Sequence, residues 1–123
     1  MFEKYMIVED NLKSSENSFE LGARLPYYRG VSLSMVEEIE VILDGETLSQ
    51  DAVNITVHGN TYNLQQRENE INDRWEMGEV ATLTVQKQGG LTAGEHKIGL
   101  KINIRIGYLP FPAIRVAEKK ISL

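Results

Sequence analysis

The chain has 123 residues, no cysteine, and a formal charge of -5 from 13 basic and 18 acidic side chains. That length suits one domain over residues 1–123, which buries roughly two-thirds of its unfolded surface and needs no covalent staples. Lack of cysteine excludes disulfides, thiolate metal centres and cysteine nucleophiles, and an acidic balance without a basic cluster excludes nucleic acid as the expected partner.

The first ten residues are interrupted by Glu3, Glu9 and Asp10, and no apolar run reaches signal-peptide or membrane length. The expectation is a cytoplasmic chain without membrane contact. Asn54-Ile55-Thr56 matches a glycosylation sequon and, with no secretion signal, is read as a chance match.

A period of two dominates the rest, the alternation of a strand with one face inward. Phe19, Leu21, Ala23 and Leu25 alternate with polar residues and glycine, as do Val53, Ile55 and Val57, and then Ala81, Leu83 and Val85. Ile39, Val41 and Leu43 form a further series, ending at the hairpin signal Asp44-Gly45. Just before it, Ser34-Met35-Val36-Glu37 fits a capping box, and Met35, Ile39 and Ile42 fit a helix face. A strand is preferred there because the β-branched run leads straight into the turn. His58-Gly59-Asn60 is a second turn signal, and Gly89-Gly90 and Ala93-Gly94 bracket a loop. Ile98, Leu100, Ile102, Ile104, Ile106 and Tyr108 share one face of a strand roughly 35 Å long, in which Gly99 or Gly107 marks a bulge or a close approach. Lys119–Leu123 completes the series as a short last strand. Seven or eight antiparallel strands with regular turns predict an all-β, immunoglobulin-like β-sandwich.

Candidate chemistry is sparse. The two histidines, His58 and His96, are expected to be solvated surface residues. Glu68, Glu70, Asp73, Glu76 and Glu79 could join His58 in a metal site, but their spacing matches no ligand pattern, and a solvated acidic loop is the expectation. Ser32 and Ser34 lie near Gly30 without a nucleophile-elbow motif. No catalytic residue and no metal ligand is assigned to this chain.

The aromatic residues are more distinctive. Pro26-Tyr27-Tyr28-Arg29-Gly30 and Tyr108-Leu109-Pro110-Phe111-Pro112 are proline-stiffened loops, and Trp75, the one tryptophan, lies in a connection of about fifteen residues, long for a compact domain. Such residue types are enriched where proteins bind each other. Tyr27, Tyr28, Arg29, Trp75, Leu109 and Phe111 are therefore the candidate contacts to a partner. Plugging the open ends of the sandwich is the alternative role.

These same segments carry a family resemblance. Gly22-Ala23-Arg24-Leu25-Pro26-Tyr27-Tyr28-Arg29-Gly30 with Leu33-Ser34-Met35-Val36-Glu37, then His58-Gly59-Asn60-Thr61-Tyr62, Asp73-Arg74-Trp75-Glu76, Gly78–Val85, Gly94-Glu95-His96 and Tyr108–Pro112 resemble the beta subunit of C-glycoside deglycosidases. The resemblance runs in order through nearly the whole chain. It implies a bacterial hetero-oligomer with a larger alpha subunit, which resembles a sugar-isomerase (β/α) barrel and holds the catalytic base and a divalent metal, often manganese. It implies a carbon–carbon lyase acting on 3-oxo C-glycosides such as oxidised flavonoid C-glucosides, with this chain inactive alone. The rival expectations are a free-standing immunoglobulin-like interaction or carbohydrate-binding module and, less well supported, a stand-alone metal-dependent enzyme.

Overall fold

A computed structural model describes residues 6–25, 30–70, 72–76, 79–92, 94–105 and 113–122, without the side chains of residues 9–11 and 64. The alternating segments form antiparallel strands. They are β1 (Ile7–Ser14), β2 (Ser18–Arg24), β3 (Val31–Ser32), β4 (Val36–Leu43), β5 (Glu46–Thr47), β6 (Val53–Val57), β7 (Asn60–Tyr62), β8 (Arg74–Trp75), β9 (Val80–Gln86), β10 (Glu95–Ile104) and β11 (Ala113–Ser122). One helix, α1 (Leu64–Asn69), follows β7.

One sheet has the order β1-β2-β9-β6-β7, a second β11-β10-β4-β5, and β3 pairs with β8 in a short ribbon. Inward side chains of both large sheets, among them Phe19, Leu21, Ile55, Leu83, Ile39, Leu100 and Ile102, merge in one buried cluster. Each such aliphatic side chain stabilises the fold by about 1.5–3 kcal/mol when fully buried. The all-β sandwich is therefore as expected from the alternation.

Turn chemistry also follows the sequence. Asp44 and Gly45 have φ of 50° and 89°, and His58 and Gly59 have φ of 51° and 80°. Positive φ at both central residues is the geometry of the tight turn that matches strand twist.

Two expectations are corrected in detail. Ser34-Met35 is neither strand nor α-helix: Leu33–Met35 makes a single 3₁₀ turn that leads directly into β4. Within β4 the pairing to β10 slips, because Asn103 faces Glu38 and Ile104 faces Val36, leaving Glu37 as a bulge. Val36 and Ile39 are consequently both buried although three residues apart, which is the spacing that imitates a helix face. The last strand is ten residues long, not five. Its neighbour β10 ends at Ile104, and residues 106–108 of the expected long strand lie outside the described residues. Gly99 does mark a close approach, since a Cβ there would sit 3.3 Å from Ile42 Cβ.

The strand directions gather specific loops at each end. At one end lie the end of β2, the β6–β7 turn, the starts of β4, β9 and β11, and the end of β10. The opposite end carries Asp44-Gly45, the β1–β2 turn and the crossover from β9 to β10.

Candidate functional site: a clasped rim of the sandwich

The first end is tied together through the β8 segment. Val31 pairs with Trp75, Leu33 N donates to Asp73 O at 3.1 Å, and Ser34 N donates to Glu70 O at 2.9 Å. Arg105 N then donates to Met35 O at 2.8 Å, which joins the end of β10 to the same rim. Leu25 N donates to Glu79 O, and the Arg74 guanidinium donates to Gly30 O at 2.8 Å. Leu25 and Gly30 flank residues 26–29, and Arg105 and Ala113 flank residues 106–112.

His58 is the centre of this rim. Its Nδ1 lies 2.8 Å from Asp73 Oδ1, and its Nε2 lies 2.7 Å from Glu79 Oε2. A neutral imidazole carries one N–H and could donate to only one of these carboxylates; the imidazolium donates to both. The hydrogen bond to Asp73 and the charge of Glu79 accordingly raise the His58 pKa above 6.5. Tyr62 donates its hydroxyl to Asp73 Oδ2 at 2.6 Å, which pushes the phenol up to about 12 and, with His58, holds the Asp73 carboxyl below its ordinary value. Glu70 Oε2 accepts from the backbone N–H of Asn72 and of Asp73, so this carboxylate shapes the chain that delivers Asp73.

His96 occupies an equivalent arrangement at the opposite end. It is 8 % exposed, with Nδ1 2.8 Å from Asp44 Oδ2 and Nε2 2.8 Å from Thr92 O. A carboxylate and a carbonyl both accept, so this ring too is held as a double donor, and the Asp44 bond raises its pKa. The expectation of two solvated histidines holds for His58, which is exposed although paired, and is corrected for His96, which is buried.

Among the candidate contacts, Trp75 is corrected. It is 0 % exposed, and its indole N–H donates to Glu79 O at 2.8 Å. It packs the rim from inside this chain and presents no surface to a partner. Tyr27, Tyr28, Arg29, Leu109 and Phe111 lie outside the described residues. The described stems of their segments share the rim that Trp75 supports.

The acidic stretch divides by role. Asp73 and Glu79 clasp His58, Glu70 caps backbone, and Glu76 pairs with Arg74 at 3.2 Å. Among the described residues no group of three or more His, Asp and Glu is placed to hold a metal ion.

Arg67 was not singled out by sequence. It is 1 % exposed, and its guanidinium donates to Val36 O at 3.0 Å and Glu37 O at 3.3 Å. Those carbonyls flank the β4 bulge, so Arg67 fastens α1 to the irregular start of β4. Burial lowers its pKa, with Glu68 opposing the shift.

Among the described residues no helix is long and apolar enough to cross a membrane. The profile of the C-glycoside deglycosidase beta subunit matches residues 2–108. The 3'-dehydrocarminate deglycosidase beta subunit of Microbacterium sp is 32 % identical over 123 residues, covering 100 % of this chain and 89 % of the relative. The C-glycoside deglycosidase beta subunit of Eubacterium cellulosolvens is 30 % identical over 92 residues, covering 75 % of this chain and 63 % of that protein. A match of this extent makes the chain a member of the C-glycoside deglycosidase beta subunit family.

Proposed function

We propose that this chain is the non-catalytic subunit of a heteromeric lyase that cleaves the carbon–carbon bond between sugar and aglycone in 3-oxo C-glycosides. A carbon-linked aglycone has no glycosidic oxygen to protonate, so two-carboxylate hydrolysis does not apply. A ketone at sugar carbon 3 acidifies the hydrogen on carbon 2. A base in the catalytic subunit removes that proton, and the resulting enolate expels the aglycone from carbon 1. The electron pair of the broken bond leaves with the aglycone carbon, which takes up a proton, and the sugar retains a double bond between carbons 1 and 2. A divalent metal held by the barrel-type partner, manganese being the expected one, would supply Lewis-acid stabilisation of the negative charge that develops.

In this reading the present chain contributes a docking rim. One observation carries it: the stems of both aromatic loop segments are fastened, through Asp73, Glu79, Arg74 and Met35, to a single end of the sandwich. A partner approaching that end meets the stems of both segments at once, which suits stable subunit pairing near the mouth of an active site.

The test is co-expression with the neighbouring barrel-type chain. Co-elution, with cleavage of a 3-oxo C-glucoside only by the pair, is the expected result. Simultaneous replacement of Tyr27, Tyr28 and Arg29 by alanine should weaken co-elution. Turnover by the purified 123-residue chain, or persistent failure to associate, overturns the reading.

A further inference from the structure

An open cleft of about 400 Å³ runs between β7 and α1, lined by Asn60, Thr61, Tyr62, Gln66, Asn69 and Glu70. Its volume falls within the range of small-molecule sites. Five of these six side chains are neutral and polar, and no lysine or arginine lines the cleft. Anionic ligands therefore have no counter-charge there.

Several donors and acceptors in the cleft are fixed in direction. Gln66 Oε1 accepts from Asn63 N at 3.0 Å while Gln66 N donates to Asn63 Oδ1 at 2.8 Å, a reciprocal cap that leaves the Gln66 amide NH₂ as two donors. Asn69 Nδ2 donates to Gln65 O at 3.0 Å, which leaves its Oδ1 as an acceptor. Glu70 commits Oε2 to two backbone N–H groups and keeps Oε1. Tyr62 directs its hydroxyl proton to Asp73, leaving the phenol oxygen as an acceptor. Thr61 Oγ1 is paired with Thr56 Oγ1 at 2.7 Å and, as a hydroxyl, retains capacity for a further bond. The Asn60 amide is free of side-chain partners among the described residues.

We infer that this cleft binds an uncharged polyhydroxylated ring, a pyranose, through neighbouring hydroxyls that each donate once and accept once. Amide NH₂ donors beside amide and carboxylate acceptors complement a vicinal diol, whose two oxygens present both functions. The reciprocal Asn63–Gln66 cap orders part of the cleft before a ligand arrives, which reduces the entropy lost on binding. Tyr62 packs partly against the hydrophobic core and also lines the cleft, so the core holds this lining residue in place. The inference goes beyond the docking role and stands without it, because every group named belongs to this chain.

The experiment titrates the full chain, alone and in complex with the catalytic subunit, with D-glucose and with a C-glucosyl flavone, following side-chain amide resonances. Expected are saturable shifts of the Asn60, Gln66 and Asn69 NH₂ signals with both ligands. Asn60→Ala should weaken binding about three- to tenfold, the effect of one ordinary hydrogen bond. Absence of saturable shifts at the solubility limit of glucose overturns the inference. So do shifts that map outside the cleft, and binding of the flavone compound with none of glucose, which would assign recognition to the aglycone. Equal affinity of folded Asn60→Ala also overturns it. Should that variant lose the β6–β7 hairpin, the wild-type shift map decides alone. Sugar binding in a chain that never pairs with a catalytic subunit would sink the docking role and leave this inference standing.

Discussion

His58 Nε2 and Glu79 Oε2 meet at 2.7 Å across the gap between the β6–β7 turn and the entry to β9, while the other ring nitrogen holds Asp73. The clasp exists in full only when the ring is protonated. A histidine pKa raised in the folded state contributes stability that is fully present below the unfolded value and is lost as pH rises through the folded one. His58 and His96 are both raised, so stability should fall from neutral pH upward. Asp73 and Asp44 are lowered, so their contribution is present above 3.8 and is lost as pH falls through their depressed values. Ring-resonance titration should place both histidine midpoints above 6.5. His58→Gln should flatten the alkaline limb of a melting-temperature profile, and added salt should shrink the His58 part, since its side chain is 45 % exposed. An unshifted His58 midpoint would sink the clasp.

Trp75 separates packing from docking. Trp75→Ala should cost the isolated chain about 3–5 kcal/mol in urea unfolding, as a large side chain leaves a full cavity. Trp75→Phe keeps most of the volume but leaves Glu79 O with only the 3.4 Å bond from Leu25 N, and should cost about 1 kcal/mol. A Trp75→Ala chain as stable as wild type alone, yet deficient in pairing, would return the indole to the interface.

Arg67 answers to the bulge in β4. Arg67→Ala should cost about 2–4 kcal/mol, because two backbone carbonyls lose a charged donor and a void opens. Arg67→Met refills the volume without a buried charge and should cost less. Chemical denaturation of the two variants ranks them, and amide exchange should locate the loosening at the start of β4.

Two glycines isolate steric clash from backbone strain. Gly90 has φ +60°, and a Cβ there would lie 2.0 Å from the Ser15 carbonyl oxygen, whereas Gly45, at φ +89°, has nothing within 4 Å. Gly45→Ala should cost about 1 kcal/mol, from φ alone. Gly90→Ala should cost about 2–3 kcal/mol or more, because backbone must move. Equal thermal shifts for the two would refute the distinction.

The strands were legible because alternation is a local signal that burial then confirms: Phe19, Leu21 and Ala23 face inward as written. Segment 33–39 was ambiguous for a physical reason, although the strand preferred there is present from Val36 onward. A bulge at Glu37 breaks the period of two and restores it one residue later, and no local rule reveals which residue is left unpaired. Strand β1 escaped notice because Glu9, Asp10 and Asn11 interrupt its pattern, where its pairing with β2 is also irregular. Lys119 and Arg115 similarly masked the length of β11. The roles of His58 and His96 depend on carboxylate partners 15 to 52 positions away, a separation invisible to spacing rules. Only the turn signals at Asp44 and His58 hinted that both carboxylate partners and rings would lie near chain reversals.

The register of β10 with β11 places Ser122 opposite Glu95, at the far pole from His58 and the loop stems. A tether attached beyond Ser122 would thus hold the molecule by its heel and leave the proposed docking side facing outward. If the proposed docking role holds, surface capture through such a handle should preserve subunit recruitment, whereas a handle before Met6, whose carbonyl bonds Arg24 beside the loop stems, should obstruct it.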